Sequence, residues 1–212
     1  SVSDTFVTFT NIPTCTDYAY RIQSRCAQSK SGFGLVDTFA TFCDAYCLSK
    51  GLDANDVWIE AVGLGLFPLE FNISGPNNGN GYFVTDTFQA YQGGVAIPLS
   101  LNPGFSGQSA PVSWSVWIDY NNDGSFLTSA DEKVFSAHNE SGIINTDFEV
   151  PSNTPFGPVR MRIQMKQGGG SLPCDVFDFG EVEDYTVLIR GAVSADNWLP
   201  QISARLIPNP SE

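Results

Sequence analysis

Residues 180–189 read Gly-Glu-Val-Glu-Asp-Tyr-Thr-Val-Leu-Ile, which places three carboxylates in a segment that otherwise has the pattern of a buried β-strand. Side chains on a strand alternate between its two faces, so Glu181, Glu183 and Tyr185 share one face and Asp184 lies on the other. Carboxylates are rarely packed inward unless they are paired or bind a metal ion. Two interpretations are therefore open: an exposed strand start with solvated glutamates, or an inward-facing acidic site.

The first six residues of this stretch, Gly-Glu-Val-Glu-Asp-Tyr at 180–185, match the signature of the GEVED domain without a single difference. The chain thus resembles that family, a β-sandwich module of secreted multidomain proteins that occurs mostly in Bacteroidetes. The resemblance implies a module of a larger protein more readily than it implies a reaction.

Strand-like segments follow one another from residue 46 to residue 189, at intervals of roughly 10 to 15 residues and separated by Gly, Pro and Asn. None of them has a convincing helical period, so the sequence predicts an all-β fold, an antiparallel β-sandwich, over residues 45–190. The predicted strands are 57–64, 69–74, 82–90, 95–101, 112–119, 133–138, 144–150, 159–166 and 181–189.

The N-terminal part, residues 1–44, has three further strand patterns, at 4–10, 18–24 and 35–42. Residues 11–18, Asn-Ile-Pro-Thr-Cys-Thr-Asp-Tyr, resemble the turn and tyrosine corner of fibronectin type III domains. Because the resemblance covers only the last three strands of such a domain, it implies a partial fibronectin type III-like sandwich. Missing upstream sequence or a strand from another chain would complete it.

The five cysteines indicate an oxidising compartment. If the second and third N-terminal strands pair antiparallel, Cys15 and Cys43 lie at the same end, whereas Cys15 and Cys26 would be about 30 Å apart along an extended strand. We therefore predict a Cys15–Cys43 disulfide and leave Cys26 without an assigned partner. The GEVED resemblance implies a second disulfide, between Cys47 and Cys174.

An acidic and amide-rich loop, residues 119–132, follows the predicted strand 112–119. A calcium loop needs oxygen ligands at positions 1, 3 and 5 and a glycine at position 6, where the chain turns sharply around the ion. Asp119, Asn121 and Asp123 occupy the ligand positions and Gly124 the turn. The alternative is an ordinary Asn-Asp-Gly turn without metal.

This loop departs from an EF-hand, because position 12 is Ala130 and strands flank it. It would close through one of the two following carboxylates or through one from elsewhere in the chain, and we hypothesise that a signature glutamate completes this site or a second one. GEVED-like domains carry the same Asp-x-Asn-x-Asp-Gly stretch, so the resemblance also implies Ca²⁺. The predicted ligands are Asp119, Asn121, Asp123, Ser125 (through its carbonyl), Asp131, Glu132, Glu181 and Glu183.

Catalytic and sugar-binding alternatives rest on few residues. His138 is the only histidine and stands where a strand enters a turn, so a nucleophilic triad is disfavoured and we predict that the chain is not an enzyme. Trp114 and Trp117 fall on opposite faces of one strand. Core packing accounts for one of them, and the other is a candidate sugar-stacking platform.

Charge narrows the possible partners, since 23 acidic and 10 basic residues give a formal net charge of −13. Nucleic acids and anionic membrane surfaces reward Lys and Arg, so neither is an expected partner, whereas a divalent cation is compatible. No apolar run reaches the roughly 20 residues of a membrane span.

The tail, residues 191–212, reads as a linker followed by Ile-Ser-Ala-Arg-Leu-Ile-Pro-Asn-Pro-Ser at 202–211. That stretch resembles the opening of a type A sorting domain of the type IX secretion system, although Ile207 stands where the family usually has tyrosine. The resemblance implies contact with the secretion machinery and a secreted or outer-surface location in a Gram-negative bacterium.

Together these features predict a non-catalytic, calcium-stabilised extracellular module of a larger protein. It would act in adhesion, binding or spacing, with a protein or glycan ligand at the cell surface. The alternatives are an accessory carbohydrate-binding module of a secreted hydrolase, a hydrolase in its own right, and a domain assembled by strand complementation.

Overall fold

Strands make up nearly all the regular structure of the computed structural model, which describes residues 17–21, 23, 25–26, 29–40, 46–66, 69–127 and 129–191. A single turn of 3₁₀ helix, Ala130–Glu132, interrupts them in this part of the chain. The strands are β1 (Asp17–Tyr20), β2 (Arg25–Cys26), β3 (Ser29–Lys30), β4 (Asp37–Ala40), β5 (Lys50–Asp53), β6 (Val57–Leu64), β7 (Glu70–Ile73), β8 (Tyr82–Tyr91), β9 (Ala96–Phe105), β10 (Val112–Ile118), β11 (Lys133–Glu140), β12 (Ile144–Glu149), β13 (Gly157–Lys166) and β14 (Val176–Arg190).

The first sheet has the order β11-β10-β13-β14, and β14 carries two further neighbours on its free side. Its first residues pair in parallel with β5 and its later residues pair in parallel with β8. Gly180 lies where the neighbour changes: it has a φ of +127°, and a Cβ there would collide with the carbonyl of Met165. Backbone packing this close explains the glycine that opens the GEVED signature.

The second sheet has the order β12-β9-β6-β7, and all its pairs are antiparallel. The core lies between the two sheets and is built from alternate residues of each strand, such as Ile59, Leu99, Trp114 and Ile163, all of them 0–1% exposed. The predicted all-β, sandwich-like and mostly antiparallel fold is confirmed.

The predicted strands between residues 57 and 189 all occur, with bounds that differ by a few residues. β5 was missed, because Lys-Gly-Leu-Asp is short and lacks alternating apolar residues. The two parallel pairs were not predicted either, since β14 finds β5 and β8 through long connections rather than hairpins. Among the described residues, no helix is long and apolar enough to cross a membrane.

In the N-terminal part, β1 pairs antiparallel with β4, as predicted, and the short β2–β3 hairpin lies between them in sequence. The predicted strand 4–10, the Cys15–Cys43 disulfide and the tail 192–212 lie outside the described residues. The fibronectin-like and sorting-domain assignments, and the domain bounds at 44 and 190, therefore stay predictions.

A disulfide joins Cys47 to Cys174, the pair that the GEVED resemblance implied. The bond connects segments 127 positions apart in sequence. It is reinforced by hydrogen bonds from the Ser49 hydroxyl and the Lys50 N–H to the carbonyl of Asp175. The segment at 46–49 is thereby held against the face of the first sheet that points away from the core, which we call the outer face.

Candidate functional site

The acidic loop begins where β10 ends, at the edge of the outer face. Asp119 extends the pairing of β10 with β13 by one residue, since its N–H donates to the carbonyl of Arg160 over 2.9 Å. Its side chain is fully buried and accepts a hydrogen bond of 2.6 Å from the hydroxyl of Tyr46. Asp119, the first predicted ligand, is therefore held by Arg160 through its backbone and by Tyr46 through its side chain.

Backbone donors shape the loop around this carboxylate. Asp119 accepts hydrogen bonds from the N–H groups of Asp123 (3.2 Å) and Gly124 (2.9 Å). Asn121 accepts a second bond from the Asp123 N–H, and Asp123 accepts one from the Ser125 N–H at 2.9 Å. Gly124 has a φ of +83°, the left-handed conformation that the sharp turn requires. The sequence pattern thus produces the loop shape that it predicted.

Three carboxylates converge here: oxygens of Asp119, Asp123 and Glu132 lie within 4.8 Å of one another. Glu132 is 1% exposed, and its side chain accepts a hydrogen bond from the Ser129 N–H within a capping box. Asp131 is exposed and does not belong to the group. Of the two closing residues proposed from the sequence, the structure brings in Glu132.

The cluster has the chemistry of a hard-cation site. Burial raises the pKa of Asp119, while the hydrogen bonds from Tyr46, Gly124 and Asp123 lower it and offset part of that rise. A divalent cation among the carboxylates would remove the cost of burying negative charge, and Ca²⁺ takes oxygen ligands in flexible geometry. The donor set of Asp119, Asp123 and Glu132 therefore fits Ca²⁺.

Two aromatic rings connect the loop to the rest of the outer face. Phe126, inside the loop, stacks on Tyr46 with ring centroids 4.9 Å apart. The guanidinium of Arg160 lies 5.1 Å from the centre of the Tyr46 ring, and that of Arg162 lies 5.1 Å from the centre of the Phe126 ring. Such cation–π contacts strengthen when they are shielded from water.

Both arginines meet the signature residue Asp184. Arg162 binds its carboxylate with two hydrogen bonds of 2.7 Å, and Arg160 lies 3.5 Å from it. Arg162 also donates to the carbonyls of Cys47 and Pro173, on either side of the disulfide bridge. One buried ion pair therefore joins the signature, the disulfide segment and the loop.

Tyr82, at the start of β8, adds a further hydrogen bond of 2.9 Å to Asp184. Burial and the neighbouring Asp184 raise the pKa of its hydroxyl to about 12, so it acts as a donor at neutral pH. The carboxylate of Asp184 is thus surrounded by donors from the two neighbouring strands β13 and β8, as a buried charge requires.

The two signature glutamates lie on the opposite side of the sheet, inside the sandwich, and both are fully buried. Glu181 accepts a 2.8 Å hydrogen bond from the N–H of Ile59, and Glu183 accepts one from the hydroxyl of Tyr185. A β-bulge shifts the pairing of β6 with β9 between Ile59 and Ala61. The pairing shifts at Ile59, and Glu181 from the opposite sheet accepts the hydrogen bond of the Ile59 N–H.

Burial changes the protonation of both glutamates. It raises the pKa of Glu181 to about 8, an effect that the N–H of Ile59 reduces and that the neighbouring Glu183 increases. Burial likewise raises the pKa of Glu183 to about 7, against the opposing effect of the Ser74 and Tyr185 hydroxyls. Both groups are thus poised to hold a proton near neutral pH.

The hypothesis that a signature glutamate completes the loop site does not agree with this arrangement. Glu181 and Glu183 face the core, whereas Asp119 lies on the outer face of the same sheet, so the sheet itself separates them. Both glutamate side chains are also 0% exposed, between the two sheets. Asp184, the one carboxylate of the signature on the outer face, reaches the loop indirectly through arginines.

Neither of the two tryptophans of β10 forms a sugar-stacking platform. Trp114 is fully buried in the core, and Trp117 is 2% exposed beneath Lys133, whose ammonium lies 5.4 Å from the ring centre. Because both faces of β10 are covered, alternation alone did not reveal that Trp117 is buried too.

His138 has a serine neighbour but no accessible nucleophile. Its Nδ1 lies 3.2 Å from the Ser113 hydroxyl, which itself donates to the carbonyl of Gly168. Ser113 is 2% exposed. A substrate carbonyl would have to enter the sheet to reach it, so this pair does not have the arrangement of a catalytic dyad.

Sequence reasoning missed Tyr46, Arg160 and Arg162. The arginines alternate with the apolar residues of β13, which is the sequence signal for a charged outer face. Tyr46 directly precedes Cys47, so the disulfide that the resemblance implied could have indicated that Tyr46 lies near Cys174.

Residues 113–188, from β10 to the end of the signature strand, match the family model of the GEVED domain. The match includes the acidic loop, both arginines and the signature carboxylates. No curated protein matches the chain.

Proposed function

We propose that this chain, which carries a GEVED domain over residues 113–188, is a non-catalytic extracellular module whose outer loop is fastened by Ca²⁺. The GEVED domain is the basis for an extracellular module of a larger protein, and the Cys47–Cys174 disulfide is consistent with such a location. Binding of calcium, adhesion or spacing as the role, and export through a type IX system are the parts that we add.

The observation that carries the calcium proposal is the convergence of Asp119, Asp123 and Glu132 at one end of the first sheet. Two of these carboxylates are buried, and charges of one sign within 4.8 Å repel each other unless a cation lies among them. The loop supplies only oxygen atoms, which suits Ca²⁺ rather than Zn²⁺.

The contacts around the loop indicate what calcium would do for the module. An ordered loop would keep Phe126 stacked on Tyr46. These two rings contact Arg162 and Arg160, the arginines that bind Asp184. Calcium would therefore stabilise the outer face from the loop to the signature strand. Extracellular calcium is abundant enough to keep a site of modest affinity occupied.

A thermal melt in millimolar Ca²⁺ and in EGTA tests this proposal. A ligand that binds only the folded state stabilises it by about 2.7 kcal/mol at a hundred times its Kd, which corresponds to a rise in Tm of roughly 5 to 10 °C for a domain of this size. The Asp123→Ala variant should lose that rise. The matched control is Asp178→Ala, an exposed carboxylate on β14 that should retain it.

An unchanged Tm on addition of Ca²⁺ would reject the metal site outright. An equal rise in the Asp123→Ala variant would show that the ion binds elsewhere, and calorimetric stoichiometry on both variants would identify that case.

A further inference from the structure

Two aromatic rings cover glycines on the face of the second sheet that points away from the core. Trp58 on β6 pairs with Gly104 on β9, and its indole covers that glycine: a Cβ at Gly104 would collide with the ring. The indole N–H donates a 2.7 Å hydrogen bond to Glu60 on the same strand. The hydrogen bond and the contact with Gly104 therefore hold the ring in place, and the side chain is half-buried.

Phe71 on β7 repeats this arrangement one strand away. It pairs with Gly63 on β6, and a Cβ at Gly63 would come within 2.6–2.9 Å of three atoms of its ring. Phe71 is 58% exposed, and Ile73, on the same side of β7, is 73% exposed. We call Trp58, Phe71 and Ile73 the aromatic face.

The bulge in β6 places a carboxylate beside these rings. The pairing shift between Ile59 and Ala61 turns Glu60 and Ala61 to the same side as Trp58, whereas regular alternation would separate them. On the adjacent β9, Ser100 and Asn102 pair with Gly63 and Ala61, so their side chains share this side. Ser100 is buried, but Glu60 and Asn102 are half-buried and place hydrogen-bonding groups at the border of the aromatic face.

Charge restricts what this surface can bind. None of the four strands of the second sheet contains Lys or Arg, and they carry Glu60, Glu70, Asp147 and Glu149. Phosphates, sulfated glycans and uronic acids would meet repulsion from these carboxylates, and the four strands have no Lys or Arg to offset it. A neutral ligand with hydroxyl donors is compatible with the carboxylate and amide groups.

We propose that the aromatic face binds a neutral oligosaccharide. The face of an aromatic ring is electronegative, and the C–H groups on one side of a pyranose ring pack against it, while the sugar hydroxyls reach the polar border. Trp58 and Phe71 stand about five residues apart along β6, roughly 15 Å. A ligand that contacts both rings is therefore a chain of sugars rather than a single unit.

This inference gives the proposed binding module a ligand class, but it does not depend on calcium. The residues of the aromatic face lie on β6 and β7 of the second sheet and precede the GEVED match, whereas the acidic loop follows β10 of the first sheet. Loss of the calcium effect would leave it standing, and loss of glycan binding would leave the calcium site standing.

The test is binding of the whole chain to an array of neutral and acidic glycans, followed by titration calorimetry with soluble neutral oligosaccharides, in Ca²⁺ and in EGTA. We expect neutral chains to bind and acidic ones not to bind. Trp58→Ala and Phe71→Ala should each weaken binding at least tenfold. Phe179→Ala removes an aromatic on the first sheet that is 46% exposed; it is the matched control and should bind like the unaltered chain.

Circular dichroism of each variant establishes that it is folded, and Phe71→Ala removes a ring that is mostly exposed, so its folding is not at risk. No binding anywhere on the neutral array would overturn the proposal, as would binding that survives both substitutions. If the two variants instead abolish self-association in sedimentation velocity, the aromatic face contacts a second copy of the chain and the glycan assignment is wrong.

Discussion

The two faces of β14 hold carboxylates in opposite surroundings. On the inner face, Glu181 and Glu183 accept hydrogen bonds from uncharged donors, the N–H of Ile59 and the hydroxyl of Tyr185. On the outer face, one position away in sequence, Asp184 meets two guanidinium groups. The inner carboxyls therefore have raised pKa values, whereas the outer one is held in an ion pair.

The difference lies in the neighbouring strand, not in the signature. β13 presents Met161, Ile163 and Met165 to the core and Arg160 and Arg162 to the outer face. Burial beside methionines and isoleucine raises the pKa of a carboxyl, whereas a carboxylate beside arginines is held by their charge. Acidic residues within one tetrapeptide thus have different chemical states because their cross-strand partners differ.

The largest expected loss of stability comes from removing the disulfide that holds residues 46–49 on the outer face. In the double variant Cys47→Ser, Cys174→Ser, the lost cross-link closes a loop of 127 positions, and chain entropy puts its contribution at roughly 5 kcal/mol. Urea unfolding without reductant should show that loss when the double variant is compared with the unaltered chain. A change below about 1 kcal/mol would mean that the 46–49 segment stays in place unaided.

The next change removes the charge of the outer carboxylate. Asp184→Asn leaves Arg162 buried without a counter-charge and should cost about 3–5 kcal/mol in unfolding free energy. Combining it with Arg162→Met should recover part of the loss, because both charges are then gone. Asp178→Asn, an exposed change on the same strand, is the control. Equal losses in Asp184→Asn and the control would contradict a special role for the ion pair.

The last change concerns the inner face and appears as pH dependence. Glu181 has a pKa of about 8 in the folded chain against the ordinary 4.5, so between these values the folded state holds a proton that the unfolded state has released. Burial of Glu181 therefore does not lower the free energy of unfolding below pH 4.5, but lowers it progressively as the pH rises toward 8. The decrease is of the order of a few kcal/mol, since each pKa unit corresponds to about 1.4 kcal/mol.

Glu181→Gln keeps the shape of the protonated side chain and should flatten this part of the profile, measured by urea unfolding across the pH range. The matched variant Glu149→Gln changes an exposed glutamate on β12 and should leave the slope intact. A slope that persists in Glu181→Gln would assign it to other groups.

Local pattern was sufficient for much of the fold. Alternation and turn residues placed the strands from 57 to 189, and the same alternation correctly separated Glu181 and Glu183 from Asp184. The shape of the loop from Asp119 onward also followed its sequence, because the hydrogen bonds within the loop join residues at most five positions apart. The family signature, rather than spacing, indicated the Cys47–Cys174 bond.

The chain by itself thus determined the strands between residues 57 and 189, the alternation of their two faces and the ligand-rich loop, since each depends on near neighbours in sequence. Only the tertiary structure decided which side of β14 is the core, that Tyr46 and Arg162 serve the loop and the signature, and that a bulge in β6 is satisfied by Glu181. These contacts cross from one strand or sheet to another over long sequence separations, where the energy of burying a charge depends on partners that no local pattern specifies.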